Sequence, residues 1–261
     1  MSADTTHPIK GYAKHNMQFV IVSDILSLSE QDFPLINANE RERYLELETQ
    51  VISKQRVADH GEVFTPSWIV EAMLELVRDE TERIDSRFLE PACGTGNFLA
   101  EVLEKKLSVV ESRYANCQIE YERYSVLAIT SIYGIDVLQD NVEECRDRLF
   151  TKFNSHYTAL YKDNCKKECR KSVMFILKCN IIWGDALTLA EVGNDDKPII
   201  FAEWSAVNGS LLKRRDFTFH GLLQHEGMKE LPLFSDLGKD VFIPEPVKDY
   251  PLVHFMRLAD A

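Results

Sequence analysis

No stretch of the 261 residues carries enough consecutive apolar side chains to span a bilayer, so no transmembrane segment is expected. The opening Met1 to Pro8 has no charged-then-apolar pattern, which argues against a secretory leader and for the cytoplasm. Cysteine is present six times but without ligand spacing: Cys165-x-x-x-Cys169 is the one close pair, and no second pair stands at zinc-site distance. No metal is expected, and cytoplasmic thiols stay reduced. An excess of basic charge is also missing. Lys and Arg number 30 against 42 Asp and Glu, a net charge of −12, which does not suit a chain that grips nucleic acid unaided. Internal repeats and low-complexity segments are absent. What remains, with hydrophobic content of 45%, is an ordinary globular composition and length for one α/β core with small appendages.

The organising stretch is Phe88-Leu89-Glu90-Pro91-Ala92-Cys93-Gly94-Thr95-Gly96-Asn97-Phe98-Leu99. Phe88 and Leu89 read as a strand end, and Pro91 stops the ladder. Gly94 and Gly96 let the backbone turn sharply and approach a ligand without a Cβ between. From Asn97 the apolar residues Phe98, Leu99, Val102, Leu103, Leu107 and Val110 recur at helical spacing. A strand–glycine turn–helix unit presents backbone N–H groups at the carboxyl edge of a sheet, where nucleotide-like ligands bind.

The ligand type follows from two further absences. A dinucleotide fingerprint needs a third glycine where this chain has Leu99, and no phosphate-cradling lysine follows. The acid Glu90 precedes the turn instead, and a carboxylate there suits an ammonium better than a pyrophosphate. S-adenosylmethionine carries such a group. The full Glu-Pro-Ala-Cys-Gly-Thr-Gly-Asn-Phe-Leu string resembles the S-adenosylmethionine motif of DNA adenine-N6 methyltransferases, above all the modification subunits of restriction–modification systems.

Other strings carry the same resemblance. Gly61-Glu-Val-Phe-Thr-Pro66 resembles the loop that closes over the methionine end of the cofactor, with Phe64 as an apolar lid and Thr65 as a polar contact. Pro66 disfavours helix at Thr65, and Ser67 can cap the helix that follows to about Arg78. Tyr133-Gly-Ile-Asp-Val137 reads as a second strand, Ile132 to Ile135, ending in Asp136, an acid placed for the two ribose hydroxyls. Gly184-Asp-Ala-Leu187 follows a third strand, Asn180 to Trp183, and Asp185 is placed to accept from the adenine amine. The resemblance thus implies cofactor binding by Phe64, Thr65, Glu90, Ala92, Gly94, Gly96, Asn97, Phe98, Asp136, Val137, Asp185 and Ala186.

Between these strings, a short strand is expected at Gln18 to Val22 and an amphipathic helix over 38–57. Tyr114 to Tyr124 reads as a polar connection, then helices follow at Asn141 to Tyr161 and Ser172 to Cys179. Two basic clusters stand out. Lys166-Lys167 with Arg170-Lys171 reads as a solvated face, and Lys213-Arg214-Arg215 lies in the C-terminal part.

The resembled enzymes hold the target amine with Asn or Asp, then Pro-Pro-Tyr or Phe, after a fourth strand; the aromatic ring stacks on the flipped base. No such tetrapeptide occurs here. Pro198 to Ser205 reads as the corresponding strand, and Glu203 and Trp204 are the only candidates at its end. The expected fold is therefore α/β, a Rossmann-like doubly wound methyltransferase sheet with an N-terminal helical extension. The divisions are 1–59 for that extension, 60–205 for the cofactor-binding core, and 206–261 for a Pro-containing extension docked on the core or a partner. The expected activity is methyl transfer to adenine N6 in DNA. DNA contact would come through a partner subunit, and the chain would pair with a protein partner or itself. The alternatives are a catalytically inactive cofactor-binding or scaffold subunit, and a methyltransferase for a substrate other than DNA.

Overall fold

The computed structural model of the protein describes residues 19–21, 56, 65–223 and 245–260. Most of the helix expected over 38–57, and Phe64, fall outside them. Its first sheet has six strands in the order β1 (Phe19–Ile21), β2 (Arg87–Glu90), β3 (Ile132–Asp136), β4 (Ile181–Asp185), β5 (Ala190–Glu191) and β6 (Asn194–Pro198). The first four are parallel and the last two antiparallel. A second, antiparallel sheet is built on the hairpin β7 (Ile200–Asn208) and β8 (Leu211–Thr218), with β9 (Lys248–Asp249) and β10 (Val253–His254) beside β8.

Side-chain alternation splits the core into two layers. Phe88 and Ile132 enter one apolar cluster together with α1 (Ser67–Leu76), α3 (Asn97–Tyr114), α4 (Gln118–Thr130), α5 (Gln139–Tyr161) and α6 (Lys167–Asn180). The short α2 (Arg78–Thr81) links α1 to the loop before β2. Leu89, Tyr133 and Ile135, one residue out of phase, meet Ile199, Phe201, Phe217, Phe219 and Leu222 on the other face. Tyr133 and Phe201 pack edge to face at 5.4 Å, and Tyr133 Oη donates to the Ala202 carbonyl at 2.9 Å.

This arrangement corrects the doubly wound expectation. The parallel strands β1 to β4 lie side by side in chain order, and right-handed crossovers taken in one direction put the described helices on one face. Among the described residues the opposite face is covered by the second sheet. The expected fourth parallel strand is the β7 arm of that sheet, and β7 runs straight through the 205/206 division.

Three local expectations also change. The polar connection at 114–124 is largely the first half of α4. Its buried face includes Tyr121 and Glu122, and Glu122 accepts from Gln118, Lys166 and the Tyr157 hydroxyl, so this acid is satisfied inside the core. For the same reason α6 begins at Lys167 instead of Ser172: Lys166 reaches Glu122, and Arg170 bonds Asn154 and Thr158. At α1 the N-cap is Pro66, without a side-chain cap, and Ser67 is the first helical residue.

The C-terminal part packs on the helical layer. Phe255 and Leu258, in the 3-10 turn Phe255–Asp260, join its core, and the Leu258 N–H donates to Ser172 Oγ at 3.3 Å. The approach to β2 is fixed from below by Lys106, which is fully buried on α3. Its ammonium donates to the carbonyls of Arg83, Ile84 and Ser86 at 2.7, 3.2 and 2.7 Å. Burial pushes its pKa down to about 7, while three carbonyl acceptors match the three donors of the charged form.

Candidate functional site

The carboxyl ends of β2 and β3 meet at the glycine turn. Cys93 N–H donates to the Ile135 carbonyl at 2.9 Å, continuing the β2–β3 pairing past Pro91. Gly94 and Gly96 have φ of 50° and 83°, in the left-handed region that glycine adopts without strain. At Gly96 the need is also steric, since a Cβ there would lie 2.6 Å from Cys145 Sγ on α5. The α3 helix starts at once, with Gly96 as its N-cap and no capping side chain.

Asp136 closes the turn from the neighbouring strand. Its Oδ2 accepts from Gly94 N–H at 2.8 Å, and its Oδ1 accepts from Leu138 N–H at 2.9 Å and Asn141 Nδ2 at 3.2 Å. Only donors face its two oxygens, the pattern of an ionised carboxylate. Three of its four acceptor positions are thereby used, which leaves one, on Oδ2.

Glu90 is the opposite case. It stands beside Gly134 in the β2–β3 register, two residues short of Asp136, and its Oε2 is buried with no hydrogen-bond partner. Burial, then the Cys145 thiol and the Asp136 carboxylate, hold its carboxyl well above the usual carboxylate range. Cys93 and Cys145 are both buried around it, and the Cys93 thiol is pushed up by its contact with Cys145 and by burial. Neighbouring guanidinium groups are committed elsewhere: Arg146 to the Ile181 carbonyl, Arg148 to Asn97 and Glu144, and Arg56 to Asp140 and Asn141.

Glu90, Gly94, Gly96, Asn97, Phe98, Asp136 and Val137 therefore converge on one edge. Asn97 accepts from Arg148, Phe98 is buried beneath the turn, and Ala92 is exposed. Asp185 ends the next strand, where its Oδ1 accepts from Leu187 N–H at 2.8 Å and shapes the turn that carries Ala186. Thr65 is exposed at the entrance of α1, which packs on α3. The sequence reading missed Trp183. Paired with Asp136 across β3 and β4, it donates from its indole to the Val137 carbonyl at 3.0 Å. Trp183, Val137 and Leu187 are 39%, 41% and 94% exposed, an apolar rim beside the carboxylates. The available signal was a tryptophan just before Gly-Asp at a strand end.

The two catalytic candidates are not part of this edge. Glu203 is buried on β7 and accepts from Arg87 at 2.9 Å, from Arg215 at 3.1 and 3.2 Å, and from Ser205 at 2.7 Å. Arg87 opens β2, so Glu203 sits at the amino edge, at the other end of the strand from Gly94. Trp204 is buried, and its indole donates to Asn180 Oδ1 at 3.1 Å, also at the amino edge. They are consecutive on β7 and face opposite sides, but both sides of that stretch are covered, so neither faces an incoming base. The Lys213-Arg214-Arg215 cluster is likewise consumed, by Asp249, Asp216 and Glu203 in turn.

The site thus defines a class: an α/β protein with a glycine turn and two acids at the carboxyl edge of parallel strands. Residues 46–146 match the family model described as N-6 DNA methylase. The match takes in Glu90, Gly94, Gly96, Asp136 and Val137 and ends before Asp185. No curated protein and no solved structure matches the chain. Among the described residues no helix is long and apolar enough to cross a membrane, and no cluster of His, Cys, Asp or Glu is arranged to hold a metal ion.

Proposed function

We propose that this protein binds S-adenosylmethionine at the Gly94 edge and serves a cytoplasmic restriction–modification system, its nominal reaction being methyl transfer to adenine N6 in DNA. A partner supplies the target-base motif and the DNA surface. The observation that carries the reading is the unpartnered, buried Glu90 Oε2 beside the glycine turn and Asp136. An ammonium is the group that would satisfy it. The cofactor's carboxylate suits the uncapped N-terminus of α3, and the one remaining acceptor position on Asp136 suits a single ribose hydroxyl. Val137, Asp185 and Ala186 flank the place left for the adenine ring, with Thr65 at the entrance of α1 and Phe64 just before it in sequence. Bound there, the cofactor supplies an electrophilic sulfonium methyl; the residues of this chain bind and orient it, so their part in catalysis is positioning.

Calorimetry with S-adenosylmethionine tests the cofactor reading, and the expected result is binding by the chain alone. Absence of both heat and thermal stabilisation would remove it. Tritiated methyl transfer to unmethylated DNA, with and without co-purifying proteins, tests the partner: transfer is expected only with them. A second reading, a cofactor-binding scaffold without catalysis, is favoured by the amino-edge location of Glu203 and Trp204 and the absent Pro-Pro-Tyr string. It predicts binding without transfer under any pairing.

A further inference from the structure

We propose that Glu90 is a proton-exchanging receptor for the ligand's ammonium: it carries a proton in the free protein and surrenders it when the cation is seated. The inference rests on the cofactor reading above and adds to it a linked proton.

The surroundings of Glu90 decide the point. From β3 it faces Asp136, whose oxygens accept from N–H donors. From α5 it faces the Cys145 thiol, and the turn itself contributes Cys93. The cations on the neighbouring α5, Arg146 and Arg148, point to a carbonyl and to Asn97 with Glu144. Among the described residues Glu90 Oε2 has no donor at all. A carboxylate buried without donor or counter-charge, next to a second carboxylate, costs more than the neutral acid. An ammonium entering beside it reverses the balance, because a charge-assisted pair then compensates the desolvation. The exchange is stoichiometric. The Glu90 O–H bond breaks, its proton goes to buffer, and the ligand's ammonium keeps all of its protons and becomes the counter-ion.

The sign of the pH effect follows. Binding needs the deprotonated acid, so affinity rises with pH by up to about tenfold per unit while free Glu90 holds its proton.

The test is calorimetry at a pH of about 6.5, where the ligand's α-ammonium is charged, in phosphate, imidazole and Tris buffers of differing ionisation enthalpy. The probes are S-adenosylmethionine and 5′-methylthioadenosine, which lacks the amino-acid end. The expected result is net proton release with S-adenosylmethionine and none with methylthioadenosine. Glu90→Gln should abolish the release and weaken S-adenosylmethionine about tenfold, with methylthioadenosine affinity held within about twofold. The two-ligand comparison in the unsubstituted protein needs no variant, so it stands if Glu90→Gln folds poorly. S-adenosylmethionine binding without proton release would overturn the inference and leave the cofactor reading intact. Equal release with both ligands would also overturn it, since the proton would come from elsewhere. Failure of both ligands to bind would remove the cofactor reading and the inference together.

Discussion

The two ends of the parallel strands are built on opposite principles. At the amino edge the buried charges are answered: Glu203 by Arg87, Arg215 and Ser205, Lys106 by three carbonyls, and the Trp204 indole by Asn180. At the carboxyl edge the answers run out. Glu90 has a buried oxygen with no donor, the first turn of α3 has no side-chain cap, and Val137, Trp183 and Leu187 stand in solvent. A buried acid whose partners are all internal contributes to stability, whereas one left open at a ligand edge is suited to a group that arrives from outside. By that criterion Glu203 and Trp204, which a linear reading made candidates for chemistry, belong to the scaffold, and Glu90 belongs to the site.

This contrast can be broken by substitution at either edge. The largest effect is expected for Glu203→Ala, which leaves Arg87 and Arg215 facing one another without their carboxylate. Urea unfolding should show a loss of about 3 kcal/mol, with S-adenosylmethionine affinity of the folded fraction unchanged. A fall in affinity at unchanged stability would return Glu203 to the site. Asp136→Ala should act at the other edge, weakening S-adenosylmethionine by about 1–3 kcal/mol in calorimetry. It should also cost stability, because Gly94, Leu138 and Asn141 lose their acceptor. Unchanged affinity would take Asp136 out of the ligand's reach.

Glu90→Gln should move in the opposite direction. The folded-state pKa is raised, so above the ordinary carboxylate range the unfolded chain has lost a proton that the folded chain still holds. Stability from this group is fully present below the unfolded value and is lost as pH rises through the folded one. The amide removes that loss, and denaturant unfolding at alkaline pH should show a gain of about 1 kcal/mol that shrinks towards acid pH. A destabilised variant at every pH would mean that Glu90 has an internal partner after all. The smallest effect is expected for Leu187→Ser. With its side chain almost wholly exposed, stability should change by no more than about 0.5 kcal/mol. A larger loss in a thermal melt would show that the apolar rim is covered within the molecule.

What the chain order alone determined is the local chemistry of the glycine turn. Gly94 and Gly96 had to be glycines because the turn enters the left-handed region and passes within contact of Cys145. The helix from Asn97 and the strand ending at Asp136 followed from periodicities of 3.6 and 2 that neighbouring residues enforce. Tertiary structure decided everything that depends on which surfaces face each other. The start of α6 and the first half of α4 were hidden because Glu122, Lys166 and Arg170 are polar residues satisfied by partners on other elements. The fate of β7 was hidden because an alternating strand reads alike in either sheet. Only the packing of that hairpin across Leu89, Tyr133 and Ile135 turned Glu203 to the amino edge, and only the assembled β2–β3 pair left a buried Glu90 oxygen unanswered. Periodicity is a property of near neighbours along the chain, whereas hydrogen-bond satisfaction is a property of neighbours in space.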